Sequence, residues 1–259
     1  MAQQTQGRRK KKTPTRKGSK KQQTKQTMHA CIILDQSGSM SSCREATIEA
    51  FNQTLQDLRK HAKETPVKVS LIVFENHVDV RFFEESIEKA KDLTYETYVP
   101  GAMTAMLDAV GTGINRLSSV RGAKKSQNHA FLMYIISDGW ENASQEHTYE
   151  TIAKMIKERL DDGRWKFIYQ GANQDLSELS RMTNIPQGDM LRYASTDQGT
   201  RTAIRASTGA FHTYMSNVAH VGAICSNTAG FFNDDGSVLD VSSELKIDSS
   251  TTEDEEVKK

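Results

Sequence analysis

Two short segments concentrate the oxygen chemistry of this 259-residue chain. Asp35-Gln36-Ser37-Gly38-Ser39-Met40 follows one apolar run, and Ser137-Asp138-Gly139-Trp140-Glu141-Asn142 follows another. A third, Gly101-Ala102-Met103-Thr104, leads into a helical pattern. Asp35, Ser37, Ser39, Thr104 and Asp138 are the candidate metal ligands: two carboxylates and three hydroxyls, all hard oxygen donors. Such a set selects Mg²⁺ first, with Mn²⁺ or Ca²⁺ as alternatives, over zinc or copper. The carboxylates only neutralise a divalent ion and the hydroxyls add no charge. The ion therefore stays electrophilic and, if octahedral, keeps positions for water or an outside oxygen. A carboxylate from a partner suits such a position.

The surrounding pattern must deliver these residues to one place. Residues 28–34 read as a strand buried on both faces, and 130–136 form the most apolar strand of the chain. Ile48, Phe51, Leu55, Leu58 and Ala62 step by three and four, the stripe of an amphipathic helix. Pro66 closes that connection; 67–74 and 78–83 read as strands of a hairpin. Further helical stripes run from Met103 to Leu117, from Ile152 to Leu160, and over Ile204, Phe211, Met215 and Val218. Strands are also expected at 165–169 and, as a short edge, at 190–193, with Asp175 capping a short helix between them. Strands separated by helices predict right-handed βαβ units: a doubly wound, mostly parallel α/β sheet with one antiparallel edge strand and helices on both faces. In such sheets ligands bind beyond the carboxyl ends of the strands, where all three segments fall.

Asp35-x-Ser37-x-Ser39, Thr104 and Asp138-Gly139 resemble the metal-ion-dependent adhesion site (MIDAS) of von Willebrand factor A (vWA) domains. The resemblance spans about 195 residues and includes the order of elements and the antiparallel hairpin. The Asp-x-Ser-Gly-Ser-Met form is similar to that of intracellular, bacterial or phage members. It implies that Ser37, Ser39 and Thr104 touch the metal through hydroxyls, with Asp35 and Asp138 acting directly or through water. It also implies a binding module that grips an acidic residue of a partner protein, as a scaffold or adaptor in an intracellular complex. The segment before Thr104 has less glycine than the family pattern, which leaves Thr94 and Thr97 as poorer substitutes. Gln36, Met40, Met103, Trp140 and Glu141 fall at the expected rim of the site, where a partner would bind. Trp140 reads either as an anchor for that partner or as an aromatic folded over its own loop. Glu141 and Asn142 also read as groups that support the ligands from behind, or as caps of the next helix.

Charge divides the chain further. Residues 1–27 hold ten Lys/Arg and no acid, while 234–259 hold nine Asp/Glu against three Lys. The net charge of +1 is thus a cancellation around a mildly acidic body. The expected organisation is a disordered basic arm (1–27), one vWA-like domain (28–222) and an acidic, largely disordered tail (223–259). The arm, with Arg8, Arg9, Lys10, Lys11 and Lys12 at its centre, reads as a solubilising extension, as a nuclear-localisation-like signal in a eukaryotic host, or as a contact for nucleic-acid phosphates. It has no interleaved aromatics for base stacking. The acidic run Glu253-Asp254-Glu255-Glu256 is a second source of carboxylates for the metal.

Other classes fit less well. The longest apolar run, seven residues, is too short to span a bilayer, and no apolar stretch follows the basic arm as in a secretory signal. With three cysteines lacking disulfide or metal spacing, these features point to a cytoplasmic protein of reduced thiols. The seven histidines are scattered with no pair at ligand spacing, which argues against a histidine metal site or a Ser-His-Asp triad. A metal-dependent phosphatase using Asp35 as nucleophile is the enzymatic alternative. Phosphatases of the haloacid dehalogenase type need a second Asp two residues on, where this chain has Ser37. Neither catalysis nor a small-molecule substrate is expected.

Overall fold

The computed structural model describes residues 26–62, 65–122, 128–172, 174–194, 196–221 and 230–232. In chain order the elements are β1 (Thr27–Asp35), α1 (Arg44–His61), β2 (Val67–Phe74), β3 (Val78–Ser86), α2 (Met106–Ser118) and β4 (His129–Ser137). They continue with α3 (Tyr149–Asp162), β5 (Trp165–Ala172), α4 (Leu176–Thr183), β6 (Met190–Tyr193) and α5 (Asp197–Val221). Short 3₁₀ turns precede α1 (Gly38–Cys43) and β6 (Gln187–Asp189). The six strands form one sheet in the order β3-β2-β1-β4-β5-β6, parallel except for β3. This is the doubly wound α/β fold expected from the pattern.

Apolar content explains the layering. β1 and β4 lie between other strands and are covered on both faces, so they tolerate uninterrupted apolar runs. One face packs Ile48, Phe51, Leu55 and Leu58 of α1 and Phe211 of α5. The other packs Val110, Ile114 and Leu117 of α2, Ile152 and Ile156 of α3, and Leu179 of α4. Local signals set the boundaries. Thr148 and Thr151 form a reciprocal cap on α3, Gly163 closes it at φ +77°, and Asp175 caps α4 through Ser177 N and Glu178 N.

Register aligns the site. Asp35, the last residue of β1, pairs with Phe74; Leu34 pairs with Ile136, which puts Ser137 and Asp138 beside it. At the opposite edge of the sheet, histidines that look scattered in sequence meet. His29 Nδ1 lies 2.8 Å from the Glu84 carboxylate and His29 Nε2 lies 2.9 Å from His129 Nδ1. Glu84 sits at φ +57° next to an irregularity in the β2–β3 pairing. A link across a hundred residues leaves no trace in sequence spacing.

A second difference concerns the C-terminal boundary. α5 spans Asp197–Val221, and Gly230, Phe231 and Phe232, which composition places in the tail, pack back onto the domain. Phe232 N donates to Gly188 O (3.0 Å). Phe231 covers the buried Lys166–Asp189 ion pair (2.8 Å), with its ring 4.7 Å from Lys166 Nζ. Burying two charges requires such shielding and pairing, which composition alone does not reveal. The basic-arm residues 1–25, the acidic residues 233–259 and Cys225 lie outside the described residues.

Candidate metal site

Three loops at the carboxyl edge of the sheet assemble the five oxygen-bearing side chains. Asp35 is fully buried: its Oδ1 accepts from Ser37 N (2.7 Å) and its Oδ2 from Ser137 Oγ (2.6 Å). Tyr98, also buried, donates its hydroxyl to Asp35 O (2.6 Å) and so fixes the same residue from below. Ser37 Oγ and Ser39 Oγ lie 3.0 Å apart, and Ser39 Oγ donates to Asp138 Oδ1 in a short contact. Thr104 closes the set: a Cβ added to Gly139 would stand 3.3 Å from Thr104 Oγ1 and 3.7 Å from Ser39 Oγ. Asp35, Ser37, Thr104 and Asp138 are buried, while Ser39 is exposed. The cluster is recessed and opens to solvent on one side.

Glycines permit the close approach of these loops. A Cβ on Gly38 would stand 2.7 Å from Gly101 O, a backbone atom, so no larger residue fits without displacing the loop. Gly101 N donates to Gln36 O (2.6 Å), stitching the Thr104 loop to the Asp35 loop.

Burial dominates the electrostatics. Removal from water raises the Asp35 carboxyl to a pKa of about 6; hydrogen bonds from Ser137 and Ser37 oppose the rise and nearby Asp138 adds to it. Two carboxylates and three hydroxyls thus face one another across the three loops. The donors fit a hard divalent cation. Among the described residues no group of three or more His, Cys, Asp or Glu is arranged to hold a metal. An ion here would therefore depend on the hydroxyls of Ser37, Ser39 and Thr104 as well as on Asp35 and Asp138.

The rim differs from expectation. Met103 and Trp140 are exposed, each at 43%. Met40 is not a rim residue: the 3₁₀ turn after Ser39 swings it inward, where it is fully buried in the core. Gln36 is also buried, with its side-chain carbonyl accepting from Arg81 Nη2 (3.3 Å). Glu141 is turned to internal duty, neither rim nor cap of α3. Its carboxylate accepts from Leu107 N (2.9 Å), Ala143 N (2.9 Å), Ser144 N (2.7 Å) and Ser144 Oγ (2.8 Å). Thr94 and Thr97 bond to one another in an exposed turn.

Of the residues that support the candidate ligands, Asn142 takes the supporting role that its place beside Asp138 suggests, rather than capping the next helix. Asn142 clamps Thr104 from both sides: its Oδ1 accepts from Thr104 N (2.9 Å) and its N donates to Thr104 O (3.1 Å). Gln174 Nε2 donates to Gly139 O, tying the loop after β5 to the Asp138 loop. Ser137 and Asn142 stand in the Asp138 segment and carry that local signal; the Tyr98 and Gln174 contacts bridge 63 and 35 residues and have none.

No family model matches the sequence, and no curated protein is significantly similar to it. Solved structures do match. The vWF domain of the type V pili tip protein Mfa5 from Porphyromonas gingivalis aligns at TM-score 0.53 and 9% identity, over 73% of this chain and 96% of that one. A mutant of the PilB minor pilin from Streptococcus sanguinis aligns at TM-score 0.54 and 12% identity, over 77% and 64%. Proximal thread matrix protein 1 from the mussel byssus, with zinc occupied MIDAS motif, aligns at TM-score 0.50 and 10% identity, over 71% of this chain and 45% of that one. The chain thus spans less than half of the mussel protein. At such identities the likeness is one of fold, and on fold the sequence pattern, the strand order and these neighbours agree: this chain has the architecture of a von Willebrand factor A domain.

Proposed function

We propose that the chain is a metal-dependent protein-interaction module. In this reading a divalent cation, Mg²⁺ foremost and Mn²⁺ or Ca²⁺ as alternatives, is held by Asp35, Ser37, Ser39, Thr104 and Asp138. It takes an Asp or Glu side chain of a partner protein as a further ligand. The carrying observation is the convergence of two carboxylates and three hydroxyls from three loops in a recess open on one side. The two carboxylates only neutralise the ion and the hydroxyls add no charge, so it remains attractive to an incoming carboxylate.

The reading is that of an adaptor rather than an enzyme. A phosphatase of the haloacid dehalogenase type would need a second Asp two residues after Asp35 as acid/base, and Ser37 stands there. The neighbours support a binding role by analogy, since they include a pili tip protein, a minor pilin and a byssus matrix protein with an occupied MIDAS. An intracellular setting is part of the proposal and is compatible with the two buried free thiols, Cys31 and Cys43. No helix among the described residues is long and apolar enough to cross a membrane.

Affinity capture from a lysate with wild type in Mg²⁺, wild type in EDTA and Asp35→Ala in Mg²⁺ tests the reading. At least one partner is expected to be lost in both perturbed samples. Identical partner sets in all three would refute a metal bridge, and phosphatase turnover abolished by Asp35→Asn would replace the adaptor with an enzyme.

A further inference from the structure

The large apolar side chains that stand exposed among the described residues are Tyr95, Val99, Met103 and Trp140. All four lie on the two loops that carry Thr104 and Asp138. The first loop is held against the site by Tyr98 OH to Asp35 O and by Gly101 N to Gln36 O. Arg44 donates to Tyr95 O and Tyr98 O and lies over the Tyr95 ring at 4.8 Å, so the loop is braced against α1. Trp140 directly follows Gly139, which faces Thr104 Oγ1. An oxygen cluster carried on the same loops as these exposed apolar side chains calls for a carboxylate flanked on both sides by apolar residues.

The chain itself contains one such segment beyond Phe232. In Val238-Leu239-Asp240-Val241, Asp240 has aliphatic neighbours on each side; none of the other acids among residues 233–259 does. Glu253-Asp254-Glu255-Glu256 offers carboxylates without that frame.

Reach is set by where the C-terminal segment leaves the domain. Phe232 is fixed at Gly188, two residues before Met190. Met190 stands level with Tyr169, Ile135 and Ile33 across the sheet, and β6 is three strands from β1. With strands ~4.8 Å apart and a rise of ~3.3 Å per residue, Phe232 is about 20 Å from the edge above Asp35. The eight residues from Phe232 to Asp240 extend to about 26 Å. An open depression lies beyond the ends of β5 and β6, lined by Gln174, Asp175, Arg192, Tyr193 and Ala194. Gln174 ties it to the Asp138 loop, and exposed Arg192 offers a cation to the acids that open this segment, Asp234 and Asp235.

From these observations we infer that the Val238-Leu239-Asp240-Val241 segment of the same chain docks on the metal site, with Asp240 directed to the cation and its aliphatic neighbours on the Tyr95–Val99–Met103–Trp140 frame. The inference rests on the proposed metal reading. The docked segment competes with any acidic partner, so release of residues 233–259 precedes partner binding.

Paramagnetic broadening by Mn²⁺ of the full-length, isotope-labelled protein tests this. Amides of Ser37, Ser39 and Gly139 report whether the ion occupies the site; amides of residues 238–241 report the docked segment. Both sets are expected to broaden at equal metal occupancy, independently of protein concentration. Asp240→Asn, and separately Leu239→Ser with Val241→Ser, should abolish broadening of 238–241 and leave that of the site loops intact. Absence of broadening in the site loops sinks the metal reading itself. Broadened site loops with sharp 238–241 resonances, or broadening at 253–256 instead, overturn the docking inference alone. In a mixture of labelled Asp35→Ala protein with unlabelled wild type, broadening of the labelled 238–241 would place the contact between chains and so contradict the intramolecular form proposed here.

Discussion

Asp35 carries the chemistry of the site and also its cost. Its carboxyl is raised from 3.8 to about 6, chiefly by burial. The metal-free fold thus binds this proton more tightly than the unfolded chain does, so between pH 3.8 and about 6 stability falls as pH rises, and the full penalty applies above. That penalty is of order 2–3 kcal/mol for a shift of about two units. Asp35→Asn removes it, because the amide oxygen can accept from Ser37 N while the amide N–H donates to Ser137 Oγ, which also lies 3.2 Å from Gly139 O. In EDTA at pH 7.5, calorimetry should show Asp35→Asn melting a few degrees above wild type. A lower melting temperature would contradict this account of the buried charge. Protons and metal also compete for the same oxygens. Mn²⁺ affinity, followed by electron paramagnetic resonance, should therefore weaken about tenfold per unit as pH falls below about 6; a flat profile between pH 5 and 7.5 would exclude Asp35 as a ligand.

Elements position the ligands through contacts that reach far along the chain. α2 begins without a side-chain cap of its own, since Ala105 occupies the capping position. Glu141, thirty-four residues later, accepts from Leu107 N instead and also gathers Ala143 N and Ser144. Its removal strands several of these donors. Glu141→Ala should cost about 2 kcal/mol in urea unfolding and should loosen the Thr104 loop; an unchanged midpoint would contradict the role. Gly38→Ala acts more locally, because its Cβ meets Gly101 O at 2.7 Å. Metal affinity should fall roughly tenfold or more, about 1.4 kcal/mol, while the fold survives, and titration calorimetry with circular dichroism separates the two effects. At this scale the sequence was informative where the signal was local. Apolar runs located β1 and β4, and Asp175 announced α4. It misled at Met40, because a 3₁₀ turn rather than an exposed loop follows Ser39. It also misled at Glu141, whose partners on α2 are visible only after folding.

The whole molecule adds two features that spacing and composition conceal. One is the C-terminal strap, in which Phe231 and Phe232 cover the Lys166–Asp189 pair although sequence places them in a tail. Phe231→Ala opens that pair toward water and leaves a cavity, so a loss of about 3 kcal/mol is expected on chemical denaturation; a loss under about 0.5 kcal/mol would mean that the strap is not part of the folded unit. The other is convergence: Asp35, Thr104 and Asp138 are separated by 69 and 34 residues, and the register of β1 with β4 and the loop before α2 bring them together. The convergence of the five candidate donors was legible because residue type, motif spacing and position after a buried strand agree. Asn142, next to the Asp138 loop, was legible as one reading among two; Tyr98 and Gln174 were not, because hydrogen bonds across 63 and 35 residues impose no periodicity.

The central claim is that Asp35, Ser37, Ser39, Thr104 and Asp138 together hold one divalent cation. Titration calorimetry of the full chain with Mg²⁺ or Mn²⁺, alongside Asp35→Ala, Asp138→Ala and Thr104→Val, tests it most directly. The account predicts a single site in wild type, its loss in both aspartate variants and a weakened site in Thr104→Val, with all proteins folded by circular dichroism. Wild type that binds neither ion, or aspartate variants that bind as tightly as wild type, would contradict it.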